Sequence, residues 1–88
     1  MNWTDYQKRG SSKLQKHQYK EAIKDFNKAI KLNPKDSLSL SYRGRSKYFL
    51  NQNEEAIKDL DKAIELDPEY SDSWNFRGRS KYFLKQYE

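Results

Sequence analysis

The sequence contains no cysteine, one histidine, two prolines and three glycines. Without cysteine the chain can form neither a disulfide framework nor a thiolate metal site, and a single histidine has no partner for a zinc site or a catalytic triad. No run approaches the roughly 18 apolar residues of a transmembrane helix. The N-terminal residues lack the apolar segment of a secretory signal. We therefore expect a cytoplasmic protein that does not enter a membrane.

Groups able to perform catalysis are equally scarce. His17 falls in a predicted turn, where we interpret it as a solvated residue. The three glycines lie 34 residues apart and cannot form a phosphate-binding loop. Five acidic residues of the middle third follow one helix surface, which we interpret as a solvated, ion-paired face. They are Glu54, Glu55, Asp59, Asp61 and Glu65. We expect no enzymatic activity, no cofactor and no metal.

Apolar residues make up only 34% of the chain, but aromatic residues make up 15%, which argues against disorder. The net charge of +5 is unevenly distributed, with +5 over residues 1–36, −2 over residues 37–70 and +2 over residues 71–88. A uniformly basic chain would suggest a nucleic-acid partner. A basic first third and an acidic middle favour protein partners or simple solvation.

One eight-residue phrase occurs twice, and a diverged copy of it occurs once. RGRSKYFL occupies residues 43–50 and 77–84, and RGSSKLQK occupies residues 9–16. Both intervals are 34 residues, and the same interval separates Pro34 from Pro68. Such self-similarity indicates an array of repeats that stack on their neighbours.

Each unit has the pattern of two helices. The second helix carries apolar residues at i, i+1, i+4, i+7 and i+8, starting at Ala22 and again at Ala56, as an amphipathic helix does. It ends at an Asn-Pro or Asp-Pro pair, because proline cannot continue a helix. Short loops make neighbouring helices antiparallel. We predict five helices, over residues 3–16, 19–32, 37–51, 54–66 and 71–86. They form one array, with repeat 1 at 3–36, repeat 2 at 37–70 and a truncated half repeat at 71–88.

These spacings resemble the tetratricopeptide repeat (TPR), a helix–turn–helix unit of about 34 residues with the pattern W-x2-L-G-x2-Y, A-x3-F-x2-A and P. The resemblance covers the whole chain as two and a half repeats. Trp74 with Gly78 fills the first part of the pattern, and Ala22, Phe26 and Ala29 fill the second. The chain departs from the pattern where arginine replaces the leucine and lysine replaces the aromatic residue. We interpret this as an RG-x2-KY sub-pattern.

The resemblance implies an all-α, right-handed TPR superhelix of antiparallel helix pairs, in which the first helix of each pair lines a concave groove. Tyr42, Arg45 and Phe49 lie at i, i+3 and i+7, which independently places them on one helix face. The groove is expected to present Leu38, Tyr42, Arg45, Tyr48, Phe49, Asn75, Phe76, Arg79, Tyr82 and Phe83.

A second set of residues is expected to pack the repeats together. Glycine inside a helix costs about 1 kcal/mol relative to alanine, so its recurrence indicates a close approach of another helix. The packing set is Gly10, Ala22, Phe26, Ala29, Pro34, Gly44, Ala56, Leu60, Ala63, Pro68, Trp74 and Gly78.

Aromatic residues and arginine dominate interaction hot spots, and arginine can bind a carboxylate through two hydrogen bonds. We therefore expect a non-catalytic protein–protein interaction scaffold that binds a peptide or partner helix, preferably acidic. Some TPR domains hold a C-terminal carboxylate with lysine and asparagine at fixed groove positions. Those positions here do not match, so capture of a chaperone tail is not expected. They are Gln7, Ser11, Tyr42, Asp72 and Phe76.

Three alternatives remain open. In the first alternative, Tyr48 and Tyr82 pack between repeats instead of facing a ligand, and the arginines shield them. In the second, the first helix of repeat 3 has no second helix to pair with and forms a homodimer with another copy of the chain. The third is nucleic-acid binding through RGR and KYF. It is disfavoured because Arg43 and Arg45 point about 200° apart on a helix.

Overall fold

A computed structural model describes residues 1–87 of the chain, and within them all regular structure is helical. The helices are α1 (Trp3–Gln15), α2 (Tyr19–Leu32), α3 (Ser37–Phe49), α4 (Asn53–Leu66) and α5 (Ser71–Tyr87). The predicted all-α class and the number of helices are confirmed. The predicted half repeat includes residue 88, which lies outside the described residues.

Local chemistry accounts for the ends of the helices. Asn2 and Asp5 cap α1 reciprocally, because each side chain accepts a hydrogen bond from the other's backbone N–H. Asp36 caps α3 by accepting from the backbone of Ser39 at 3.1 Å. His17 and Asn51, one repeat apart, have left-handed φ angles of 62° and 63°. A left-handed residue ends a helix, so α3 stops at Phe49, two residues before its expected end.

The helices form two antiparallel pairs followed by a fifth helix. We call α1, α3 and α5 the A helices, and α2 and α4 the B helices. The A helices contact one another in sequence, α3 touching both α1 and α5, whereas each B helix contacts only the A helices on either side of it. Ser73 on α5 donates to Ser41 on α3 at 2.8 Å and links the two A helices directly. No helix of the described chain is long and apolar enough to cross a membrane.

The core consists of two clusters that repeat the same design. Leu14 with Ala22 and Phe26 forms the first, and Ala56 with Leu60 and Phe76 forms the second. Two glycines let each helix pair approach closely. A Cβ at Gly10 would lie 2.5 Å from the Phe26 ring, and one at Gly44 would lie 2.7 Å from Leu60 Cγ. Ala29 and Ala63 are also buried.

Two buried carboxylates, Asp25 and Asp59, hold the helix pairs together, and the burial of Asp59 contradicts the solvated face that we expected for it. Asp59 on α4 accepts from Arg43 Nε at 2.8 Å and from Arg43 Nη2 at 2.6 Å, and lies 2.9 Å from Lys47 Nζ. One repeat earlier, Asp25 lies 2.7 Å from Lys13 Nζ. These aspartates lie on the side of the B helix that the preceding A helix covers, which is why they are paired instead of solvated.

Four members of the expected packing set lie at the surface. Pro34 and Pro68 are exposed at the ends of the B helices. Trp74 is 48% exposed and donates from its indole N–H to the Pro68 carbonyl at 2.8 Å. A Cβ at Gly78 would meet nothing within 4 Å. In contrast to the expectation, Trp74 and Gly78 therefore make no close inter-helix packing, because no described helix covers that side of α5.

Candidate functional site

Phe76 and two arginines form the centre of the candidate site, at the contact between α3 and α5. The guanidinium carbons of Arg45 on α3 and Arg79 on α5 each lie 5.1 Å from the centroid of the Phe76 ring. Arginines in this arrangement are attracted to the ring, and their donors remain available for hydrogen bonds. Phe76 itself is only 7% exposed and belongs to the core, so it supports the arginines more than it offers contact area.

The two arginines differ in their surroundings. Arg79 is exposed, and its Nε donates to Asn75 Oδ1 on the preceding turn at 3.3 Å. Arg45 is half-buried, and its Nε is buried without a hydrogen-bond partner among the described residues. A buried donor of a charged group without a partner costs free energy, which a bound acceptor would recover. The pair therefore has unfilled capacity for an anionic group.

Aromatic rings continue from this centre along the α3 and α5 surfaces. Tyr48 lies against Ala56, Leu60 and Phe76 and is half-buried, which gives it a packing role between repeats. Phe49 and Tyr82 are instead 40% and 60% exposed. The alternative in which both tyrosines pack between repeats therefore fits Tyr48 but not Tyr82.

Tyr19 joins the aromatic surface although the sequence pattern did not single it out. Its ring stacks on Phe49 with 4.9 Å between centroids and an interplanar angle of 15°. The His17 ring nitrogen Nδ1 and the Tyr19 hydroxyl are 2.6 Å apart. The repeat arrangement puts asparagine, Asn53, at the position equivalent to Tyr19. The repeat pattern therefore could not identify Tyr19 as part of the aromatic surface.

The remaining predicted groove residues lie around this centre. Phe83 is half-buried, with its ring centroid 5.9 Å from that of Tyr48. Leu38 is half-buried near the start of α3, and Asn75 is exposed on α5. Tyr42 faces the first core cluster, where its ring centroid lies 5.7 Å from that of Phe26.

Tyr42 also influences a phenol outside the predicted set. Burial, followed by the neighbouring Tyr42 and Asp72, raises the pKa of the Tyr70 phenol above its ordinary value. The Tyr70 hydroxyl donates to Asp72 at 3.2 Å. These contacts tie the loop before α5 to the A helices. Among residues 1–87 no group of three histidine or acidic side chains is arranged to hold a metal ion.

The fold and this surface define a helical repeat protein built from antiparallel helix pairs. Two tetratricopeptide repeat family models match the chain, one over residues 6–36 and the other over residues 37–70. The chain belongs to the tetratricopeptide repeat family, and its helices form the repeat superhelix of that family. A comparison with curated protein sequences gives no match.

Several solved TPR domains are similar to the chain along most of its length. The second TPR of Spaghetti (RPAP3), bound to the HSP90 peptide SRMEEVD, is 27% identical, with 98% of this chain and 80% of that chain covered and a TM-score of 0.92. The TPR2B domain of yeast Sti1, in its pHsp70 complex, is 27% identical, with 97% of this chain and 68% of that chain covered and a TM-score of 0.90. The second TPR domain of human RPAP3, in complex with the HSP70 peptide SGPTIEEVD, is 28% identical, with 91% and 67% covered and a TM-score of 0.86.

Proposed function

We propose that the chain is a non-catalytic interaction module that binds an acidic peptide, or an acidic stretch of a partner helix, across α3 and α5. The observation that carries this proposal is the pair Arg45 and Arg79, both placed over Phe76 at 5.1 Å. A ring that contacts both guanidinium groups restricts their orientation. Restricted donors lose less side-chain entropy on binding than free ones.

A carboxylate is the chemical group that suits these arginines best. Guanidinium binds carboxylate through two parallel N–H···O bonds, and hydrogen bonds between charged partners are stronger than neutral ones. Arg45 Nε is buried without a partner among the described residues, so a ligand oxygen would satisfy it. Arg79 has only a 3.3 Å bond to Asn75, which a carboxylate can replace.

Exposed rings beside the arginines supply contact for apolar groups of the same ligand. Phe49 lies stacked on Tyr19, and Tyr82 lies edge-on to Phe83 at 5.8 Å. Rigid aromatic rings next to arginine are typical of interaction hot spots. We therefore expect the preferred peptide to combine an acidic residue with a nearby apolar one.

The TPR domains that are similar to this chain support a peptide ligand of acidic character, since two of them are described with the peptides SRMEEVD and SGPTIEEVD. The contacts that we propose differ from those of a lysine and asparagine clamp, because the residues of this chain do not match that pattern. Of the positions that the family resemblance assigns to that clamp, Gln7 donates its amide to Asp36 at 2.9 Å, and Phe76 is in the core. Asp72 would repel a carboxylate.

The alternative of nucleic-acid binding is weakened by the repeated RGR itself. The first arginine of each copy is engaged elsewhere, since Arg43 binds Asp59 and Arg77 Nε donates to Asp61 at 2.6 Å. Only the second arginine of each copy lies over Phe76. The two cations of RGR therefore do not present one surface to a phosphate backbone. A steep loss of affinity for random single strands with added salt would revive this alternative.

The test is a peptide array that varies the number of acidic residues, probed with the chain and with the double variant Arg45→Ala/Arg79→Ala. We expect the chain to select acidic peptides and the double variant to bind them at least about tenfold more weakly, the cost of losing a charged hydrogen bond. The variant Lys58→Ala/Lys62→Ala removes the same charge from an exposed face of α4 and should bind normally. Selected peptides that bind the arginine variant as well as the original chain would refute the assignment.

A further inference from the structure

Helix α2 presents a row of lysines to solvent on the side away from the core. We call it the α2 outer face and define it by Lys20, Lys24, Lys28 and Lys31. In a helix these four positions fall within an arc of about 80°, opposite the positions of Ala22 and Phe26. Ala22 and Phe26 are buried, whereas all four lysines are exposed. None of the four ammonium groups forms an ion pair with a residue that the structure describes.

The acidic residues of α2 do not neutralise this face. Asp25 is buried on the side that α1 covers, where it lies 2.7 Å from Lys13 Nζ. Glu21 is exposed, but it is a single carboxylate beside four cations. The α2 outer face therefore keeps a net positive charge along the whole length of the helix.

The equivalent face of α4 is neutral. Its four residues, one repeat later, are Glu54, Lys58, Lys62 and Glu65. Among the three neighbouring pairs at i+3 or i+4, two join opposite charges in α4, whereas all three join like charges in α2. Like charges at this spacing destabilise a helix, and opposite charges stabilise it. The α2 outer face thus gives up helix stability that the same fold gains in α4, which indicates that its charge has a role outside folding.

Exposed apolar side chains lie at one end of the α2 outer face. Leu32, one turn after Lys28, is 55% exposed. Lys28 Nζ lies 5.4 Å from the centroid of the Tyr6 ring, so the start of α1 runs beside the end of α2. Trp3, one turn before Tyr6, is therefore at the same end of the helix pair as Leu32, and it is 36% exposed.

This combination distinguishes repeat 1 from repeat 2. At the positions of Trp3 and Leu32, repeat 2 has Ser37 and Leu66, and both of those residues are half-buried. The unpaired lysines and the exposed apolar residues therefore occur together on the first helix pair, which points to one ligand that uses both.

The chemistry of this surface suits the headgroups of an anionic bilayer. Lysine is a compact point charge that attracts anionic groups without requiring one geometry, and α2 has no arginine, which holds a specific carboxylate better. Tryptophan is favoured at the interface between membrane and water, and apolar side chains beside a basic stripe add affinity by leaving water. A single-stranded nucleic acid is held by rings between the cations, but the Tyr6 ring is half-buried beside Arg9 and Lys28.

We propose that the α2 outer face binds the surface of an anionic lipid bilayer, with its four lysines among the headgroups and with Leu32 and Trp3 inserted at the interface. Such docking holds the chain at the membrane surface and requires no membrane-spanning helix. The proposal concerns α1 and α2, whereas Arg45 and Arg79 lie on α3 and α5, so it does not rest on the peptide-binding function.

The test is co-sedimentation of the intact chain with two kinds of vesicle, one of phosphatidylcholine alone and one that also contains phosphatidylserine. A Trp74→Phe background leaves Trp3 as the only tryptophan, so its fluorescence reports on insertion at the interface. We expect the chain to bind the vesicles with phosphatidylserine and not the others, and added salt should weaken this binding. Trp3 emission should shift to shorter wavelength when the chain binds.

Two matched double variants separate the α2 outer face from net charge. Each lysine near an anionic surface contributes about fivefold in binding, so Lys24→Gln/Lys31→Gln should weaken vesicle binding at least about tenfold. Lys58→Gln/Lys62→Gln removes equal charge from α4 and should weaken it less than about threefold, because solution ions screen charges away from the bilayer. All four side chains are exposed, and the α2 variant loses like-charge repulsion, so neither change endangers the fold.

Leu32→Gln examines insertion without a change of charge. Leu32 is exposed in the free chain, so the fold should be retained, and vesicle binding should weaken at least about threefold because fewer apolar atoms leave water. Vesicle binding that is absent, that is equal for the two lipid compositions, or that falls equally in the two lysine variants overturns the proposal. Binding that leaves Trp3 emission unchanged, or that Leu32→Gln does not weaken, overturns it as well. Tighter binding to polyuridine RNA or to polyglutamate than to the vesicles reassigns the face to a nucleic acid or an acidic protein.

Discussion

Gly44 and Gly78 occupy the same position in two identical eight-residue phrases, and we expect alanine to have opposite effects at the two sites. At both sites alanine gains about 1 kcal/mol of helix propensity over glycine. At Gly78 the Cβ would meet nothing within 4 Å, so this gain is retained. We therefore expect Gly78→Ala to raise the free energy of unfolding by about 1 kcal/mol.

At Gly44 the same Cβ would lie 2.7 Å from Leu60 Cγ and 3.2 Å from the Ala56 carbonyl oxygen. Leu60 is fully buried and Cγ is the branch point of its side chain, so neither it nor the backbone oxygen can move away freely. Overpacking of this kind costs typically about 1–3 kcal/mol. Taking the upper half of that range and subtracting the propensity gain, we expect Gly44→Ala to lower the free energy of unfolding by about 1–2 kcal/mol.

Thermal and urea unfolding, followed by circular dichroism at 222 nm, measure both changes. For a domain of this size 1 kcal/mol shifts Tm by about 4–8 °C, so the two variants should differ by at least about 8 °C. Gly10→Ala should resemble Gly44→Ala, because three Phe26 ring atoms lie within 2.9 Å of the added Cβ. Equal stabilities for Gly44→Ala and Gly78→Ala would show that α3 and α4 do not approach as closely as described.

Two further predictions concern buried polar groups. Asp59→Asn removes the carboxylate that binds Arg43 and Lys47, and should lower the free energy of unfolding by about 2 kcal/mol in urea titrations. Asp61→Asn removes an equal charge from a half-exposed pair and should cost less than about 1 kcal/mol, so equal losses would contradict the buried role of Asp59. Burial and its neighbours raise the pKa of Tyr70, so the folded chain keeps a phenolic proton that the unfolded chain loses above pH ~10. Stability should therefore fall with rising pH above that value and less steeply in Tyr70→Phe, and parallel alkaline profiles would refute this assignment.

The helices were predictable because their signals are local. The apolar stripe beginning at Ala22 and at Ala56, and the prolines after each stripe, determine where helices run and end without knowledge of neighbours. The 34-residue period then indicated how the helices stack. The end of α3 was misplaced by two residues because Asn51 adopts a left-handed conformation that its sequence context does not require.

The surroundings of the site residues were harder to predict, because they depend on which neighbour covers each side of a helix. Tyr48 and Phe76 share the helical spacing of groove residues, yet both lie against α4. Asp59 was assigned to a solvated face, although a signal for its burial was present. Asp59 recurs 34 residues after Asp25, and both lie among small and apolar residues of their helix. The arginine and lysine that bind Asp59, Arg43 and Lys47, also recur at the repeat interval.

The identical phrases at residues 43–50 and 77–84 separate intrinsic from tertiary effects. Helix propensity and local side-chain entropy are nearly the same in both copies. The same substitution therefore changes these two contributions to the free energy of unfolding equally in α3 and in α5. What differs is the surrounding structure, since α3 lies among four helices, whereas among residues 1–87 α5 contacts α3 and α4 alone. The difference between matched substitutions therefore measures the contribution of a covering B helix.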